Sequence, residues 1–278
     1  MQHRCFIIVL IVAVAANIAL AQRIAIFEPE KDSSTNEIVR SIISELSAKM
    51  RVVDPDIAAS AFHSVSVQDP FNLSQSEARQ IGTVVGCEAF LLFRTGIQRR
   101  AATDRPAYYE AFVASYIVDS RTGSLVDWHL DNFEAETAER ASALLNKAVL
   151  PISERIAKSI KERSTRASPN FPEPSAEGSP MSVGLKTPVP YKRIKPEYTT
   201  TAFLYNIKAT VDIEADINID GTVGATSIIR WAGYGLDESV EKAVRSMNWR
   251  PAMRDGKPLP MRVLLRYNFL KVEKDEEP

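Results

Sequence analysis

Cysteine, histidine and net charge are what this sequence has little of. Two cysteines and three histidines are spread over 278 residues. Cys5 and Cys87 stand too far apart for a local metal-ligand pair, and so few thiols exclude a disulfide-stapled scaffold. His3, His63 and His129 are scattered, and neither His63 nor His129 has an obvious serine, cysteine or paired-carboxylate partner that would make a nucleophile and base. The 34 Lys+Arg nearly cancel the 35 Asp+Glu, which leaves no broad basic surface for nucleic acid. Neither a Gly-x-x-x-x-Gly-Lys-Ser/Thr phosphate loop nor a Gly-x-Gly-x-x-Gly dinucleotide loop occurs. The expectation is a binding or interaction protein with no cofactor, metal ligand or catalytic residue.

Long apolar runs are also missing, with one exception. After Met1-Gln-His-Arg4 the chain is apolar from Cys5 to Ala16 and ends small-x-small at Ala19-Leu-Ala21. A positive start, a short apolar stretch and a small-residue end make a secretory signal over residues 1–21, cleaved between Ala21 and Gln22. The alternative is a retained anchor, because the run is just long enough to approach a bilayer span. Cleavage would leave Cys87 as the only thiol of an exported chain, best read as a small buried hydrophobe.

Residues 22–163 read as one α/β domain. Ile24–Phe27, Arg51–Asp54 and Ala89–Phe93 are short buried strands. Ser34-Thr-Asn-Glu37 and Ser74-Gln-Ser-Glu77 match capping boxes, each ahead of an apolar stripe at helical spacing. Tyr109–Val118 and Ser124–Leu130 form a hairpin around Asp119-Ser-Arg-Thr-Gly123. A long helix is expected from about Glu134 to Glu162, broken or kinked at Pro151. Asp54 and Asp56 cap a turn before a short helix, and Arg99, Arg100 and Arg105 make a small basic cluster in a loop. Residues 164–190, rich in proline and serine, are expected as a flexible linker.

The clearest pattern follows. Ile207, Ala209, Val211, Ile213, Ala215, Ile217 and Ile219 alternate with polar residues, the signature of a long strand with one buried face. Asp220-Gly221 turns the chain into a partner strand from Thr222 to Trp231, and a helix starts near Asp237. Trp249-Arg-Pro251 ends that helix, Asp255-Gly-Lys-Pro258 turns, and Met261–Leu270 is the third strand. Residues 191–270 are thus expected as an α+β domain, a three-stranded antiparallel sheet with one main helix, before a disordered tail at 271–278.

Pro196-Glu-Tyr198, Ala202, Asp220-Gly-Thr-Val223, Gly235-Leu-Asp237, Ala243-Val244, Trp249-Arg-Pro-Ala252, Gly256-Lys-Pro258 and the strand Arg262–Phe269 together resemble the carboxy-terminal domain of the TonB family of periplasmic energy transducers. The resemblance implies a module that adds an extended peptide to a sheet edge, the partner being an outer-membrane transporter or another envelope protein; it also allows a homodimer. The edge it points to is Met261–Leu270, with Arg262, Leu264, Arg266 and Asn268 facing the partner. The family's usual Tyr-Pro is Tyr198-Thr199 here, its glycine entering the first strand is Ala209, and a folded domain stands where a long proline-rich spacer is customary. Residues 22–163 are similar, more loosely, to the periplasmic α/β domains of curli-secretion lipoproteins, penicillin-binding-protein activators and the Tol propeller protein, on Ile24–Phe27, Arg51–Asp54, Ala78–Leu92 and Val118–Leu125. The expectation is a non-enzymatic, TonB-like periplasmic adaptor, with two alternatives. One is an energy transducer on the periplasmic side of the inner membrane, if residues 1–21 stay; contact with a membrane is expected only in that case. The other is a cell-wall enzyme or activator working through the first domain.

Overall fold

The computed structural model describes residues 22–30, 35–101, 103, 105–162 and 183–270. The expected signal, the tail 271–278 and most of the expected linker lie outside these residues. Among those described, no helix is long and apolar enough to cross a membrane.

The first unit is a five-stranded sheet of order β2-β1-β3-β4-β5, formed by β1 (Arg23–Phe27), β2 (Arg51–Val52), β3 (Ala89–Arg100), β4 (Tyr108–Asp119) and β5 (Leu125–Ala135). β1 runs parallel to β2 and β3, whereas β3, β4 and β5 are antiparallel. Alternation along each strand sorts side chains between two cores. Ile24, Ile26, Leu91, Phe93, Val113 and Ile117 lie under α1 (Asn36–Ser47), α4 (Ala138–Lys147) and α5 (Val149–Glu162). Ala25, Phe27, Phe90, Leu92, Tyr116 and Val118 face the opposite way, toward α2 (Pro55–Ser64) and α3 (Gln75–Val85).

Local chemistry explains where the helices begin. Asp54 accepts hydrogen bonds from the Asp56 and Ile57 amides, and Ser74 with Glu77 forms a complete capping box. The box expected at Ser34 falls outside the described residues; Thr35 is the N-cap of α1, and its hydroxyl meets that of Thr95 at 2.6 Å. The expected long helix is two helices. Glu134 belongs to β5, the break falls at Ala148, and Pro151 sits in the first turn of α5, where a missing amide hydrogen costs little. Gly123 has a φ of +74° and presses on the Gln75 carbonyl so closely that a Cβ would lie 2.0 Å from it.

The second unit holds α6 (Thr200–Leu204), β8 (Ala209–Ile217), β9 (Val223–Arg230), α7 (Leu236–Arg245) and β13 (Met261–Phe269). Its main sheet has the order β13-β8-β9 and is antiparallel throughout. Val211, Ile213, Ala215, Ile217, Val263, Leu265, Tyr267 and Phe269 pack with Val240 and Val244 of α7. Short strands complete it: β6 (Leu185–Lys186) pairs with β11 (Ala252–Arg254), which also pairs with β12 (Lys257–Leu259), and β7 (Val189–Pro190) pairs with β10 (Trp249–Arg250). Residues 183–190, expected to be linker, are therefore partly built into this unit.

The two units share one core, unlike modules hinged on a tether. Tyr116 of β4 lies 5.6 Å from Trp231, 5.4 Å from Phe71 and 6.2 Å from Trp128, ring to ring. Trp128 in turn is 4.7 Å from Tyr234. Polar contacts fix the register of this packing. The Asn72 side chain donates to the carbonyls of Thr210 and Trp231 and accepts from the Thr210 amide. Trp231 donates from its backbone amide to Leu73 and from its indole to Gly123. Glu110, buried on β4, gathers Gln98, Arg100, Asn132 and the Tyr205 hydroxyl, so its carboxyl is held low against the raising effect of burial. The expected loop cluster of arginines is dispersed accordingly: Arg99 and Arg100 belong to β3, and Arg105 pairs with Glu134.

Asn72→Ala would leave three backbone groups without their partner at the junction. A loss of about 2 kcal/mol is expected, measured by urea unfolding of the full chain as a shift of one cooperative transition that reports both units together.

Candidate functional site

β13 is the edge of the second sheet. Among the described residues its only strand neighbour is β8, in an unbroken register from Met261 opposite Ile217 to Phe269 opposite Ala209. The opposite edge, β9, is closed by the first unit and by its own helix. Ser74 forms a β-bridge with Arg230, Gln75 donates to the Ile228 carbonyl, and Arg245 donates to the Gly224 carbonyl. On β13 the corresponding contact is one hydrogen bond of 3.0 Å, from the Arg193 guanidinium to the Arg266 carbonyl. An edge strand carries backbone donors and acceptors with no strand to receive them, which makes it a template for another extended chain.

The four residues expected to face a partner share the outward face of β13, since Val263, Leu265 and Tyr267 between them point into the core. Three of them are already engaged with side chains of β8. Arg262 grips Asp216 with bonds of 2.7 and 3.1 Å and reaches Glu214 at 3.5 Å. Arg266 grips Asp212 with bonds of 2.7 and 2.9 Å. Asn268 accepts from the Thr210 hydroxyl. The polar row of β8 is thus covered by arginines, and Asp216 is only 1% exposed. Leu264 has no such cover and is 58% exposed. Sequence reasoning missed these cross-strand pairs, although the matching parity of the acidic and basic rows was an available signal.

Of the remaining expectations, Gln22 leads directly into β1, and Ala21 lies outside the described residues. Cys87 is buried beside the Ser120 hydroxyl, and burial pushes its thiol up. His63 bonds the Ala59 carbonyl and His129 bonds Asp127. No group of three or more metal-ligating side chains comes together among the described residues.

Residues 194–270 match the family model described as the Gram-negative bacterial TonB protein C-terminal. This part of the chain is a TonB C-terminal domain. The TonB C-terminal domain of Pseudomonas aeruginosa is similar over 37% of this chain and all of that one, at 21% identity and a TM-score of 0.28. Lipoprotein GNA1162 from Neisseria meningitidis aligns over 49% of this chain and 99% of its own, at 15% identity and a TM-score of 0.34. The LpoB C-terminal domain from Salmonella enterica aligns over 42% and 84%, at 13% identity and a TM-score of 0.28. No curated protein sequence matches the chain.

Asp237 of the TonB C-terminal domain was expected to serve the start of a helix, and it does more. Both its oxygens accept from the Ala232 and Gly233 amides, holding the turn that follows Trp231. Burial dominates over those bonds and raises its carboxyl to about 7. The folded state therefore holds this proton where the unfolded chain has already lost it. Stability from this group is full near pH 4 and declines as pH rises toward 7. Asp237→Asn should accordingly gain on the parent protein between pH 5 and pH 8, as read from urea midpoints at the two values.

The two arginines of β13 should separate in the same assay. Arg262, with a side chain 15% exposed, covers a buried carboxylate, so Arg262→Met is expected to cost about 3 kcal/mol. Arg266 is 61% exposed and screened by solvent, so its loss should move the urea midpoint less than the loss of Arg262 does.

Proposed function

We propose that this chain is a non-enzymatic cell-envelope protein that holds an extended segment of another envelope protein by strand addition to β13. The observation that carries the reading is the asymmetry of the second sheet: both β9 and β13 are edges, but β9 is bridged by Ser74 of the first unit, whereas among the described residues β13 carries no bridge beyond β8. The TonB C-terminal domain over residues 194–270 supports the choice of partner, an outer-membrane transporter or a protein of similar place. The exported character rests on the leader-like residues 1–21, and the periplasm is the compartment it implies. Retention of those residues would make the chain an anchored transducer instead, a role that needs a tether for force to reach the partner.

In such a complex the peptide backbone supplies the affinity and alternate side chains supply the choice. Arg262 and Arg266 are engaged by Asp216 and Asp212, so they serve mainly to hold the outer face in place. Leu264 is the exposed apolar side chain between them, suited to a small apolar residue on the incoming strand.

Photo-crosslinking tests this. A benzophenone side chain placed in turn at Leu264 and at Ser227 of β9 in the full-length protein, expressed in its own cells, should give a discrete adduct from position 264 and none from position 227. Equal labelling at the two positions, or none at 264, would sink the proposal. Leu264→Asp should abolish the adduct formed from Asn268 while moving the melting temperature by less than about 2 °C, as expected for an exposed site.

A further inference from the structure

The ladder itself shows which backbone groups of β13 face outward. Thr210 gives both its amide and its carbonyl to the Asn72 side chain, so at this position β8 turns its backbone away from β13. Bonded and non-bonded pairs alternate along an antiparallel ladder, which aims Val211, Ile213 and Ala215 at β13 and leaves their partners Tyr267, Leu265 and Val263 to answer them. The open side therefore carries the amides and carbonyls of Leu264, Arg266 and Asn268. Among the described residues only one of these groups is engaged: the Arg266 carbonyl accepts from the Arg193 guanidinium at 3.0 Å.

Arg193 belongs to a strap, residues 191–199, that contains no helix or strand. Its two ends are tied down. The Tyr191 amide donates to the Asn248 carbonyl at one end, while at the other the Glu197 carbonyl accepts from Ser239 and the Thr199 hydroxyl donates to the Tyr234 carbonyl. Between them Lys192, Arg193 and Lys195 are exposed, and the backbone from 192 to 196 makes no hydrogen bond among the described residues. Arg193 alone crosses to the strand, where its guanidinium also lies 5.1 Å from the centre of the Tyr267 ring.

We infer that Arg193 is a clasp that keeps the far half of the β13 edge closed until a partner strand displaces it, an inference that rests on strand addition at this edge. Neighbouring strands lie about 4.8 Å apart, so a guanidinium held at 3.0 Å from the Arg266 carbonyl stands inside the space an incoming backbone needs. The groups of Leu264 remain open. A strand therefore begins to pair there and extends to Asn268 once Arg193 has let go. Release is cheap, because the bond is exposed and the freed arginine returns to water. The clasp guards the edge against indiscriminate pairing and favours segments long enough to gain from opening it.

Photo-crosslinking of the full-length protein in its own cells, with the benzophenone at Leu264 or at Asn268, tests the clasp. In the parent the adduct from position 268 should be the weaker of the two. Arg193→Gln removes a competing charged hydrogen bond and should raise that adduct about fivefold, while the adduct from 264 stays within about twofold. Lys195→Gln takes the same charge from the same strap, at a side chain with no bond to the edge among the described residues, and should change neither. Both substitutions are exposed and should leave the melting temperature within about 2 °C of the parent's. A 268 adduct that Arg193→Gln leaves unchanged, or lowers because Arg193 grips the partner, overturns the clasp while the 264 adduct keeps strand addition standing. An equal rise in Lys195→Gln overturns it as well, since charge alone would then be the cause. No adduct from 264 in the parent removes strand addition and the clasp with it.

Discussion

The packing of Trp231 and Tyr234 against Tyr116 is the constraint on which the rest depends. β4 offers Tyr116 on a face of the first sheet that α2 and α3 cover only in part, and the turn after β9 supplies the remaining cover. Aromatic rings in tilted and edge-on contact bury a large apolar area, and such contacts need fixed geometry. The polar groups around them, Asn72 above all, turn a greasy contact into a unique register. Two units that would otherwise be independent domains are thereby joined in one core.

That junction decides which edge of the second sheet is left for others. β9 is drawn against Ser74 and Gln75 and loses its value as a template, whereas β13 is turned away. The arginine and aspartate rows on the outer face of β13 and β8 keep the exposed face polar and ordered. A long bare edge is a liability for aggregation, which charged side chains limit; here Arg193 also reaches the Arg266 carbonyl. The same features leave Leu264 as the apolar point of contact.

Most elements were legible in the residues. Strict alternation from Ile207 to Ile219, the Asp220-Gly221 turn, and the Ser74–Glu77 box each dictate a local conformation by short-range physics alone. The misreadings have a common cause. Pro151 looked like a kink because its neighbours on both sides have helical spacing, yet a proline at the first turn is well tolerated, and the true break came three residues earlier at Ala148. The basic loop at Arg99–Arg105 was a charge pattern whose partners, Glu110 and Glu134, arrive from strands paired later in the chain.

The sequence by itself determined the periods, caps and turns, and with them the resemblance of residues 191–270 to a TonB carboxy-terminal domain, because these signals are local and survive without a third dimension. Only the tertiary structure decided that residues 183–190 pair with strands more than 50 positions away, that Asp212 and Asp216 are buried under arginines, and that an aromatic cluster welds the two halves. Those facts depend on which faces meet. An apolar residue announces that it will be covered, and only the fold names what covers it.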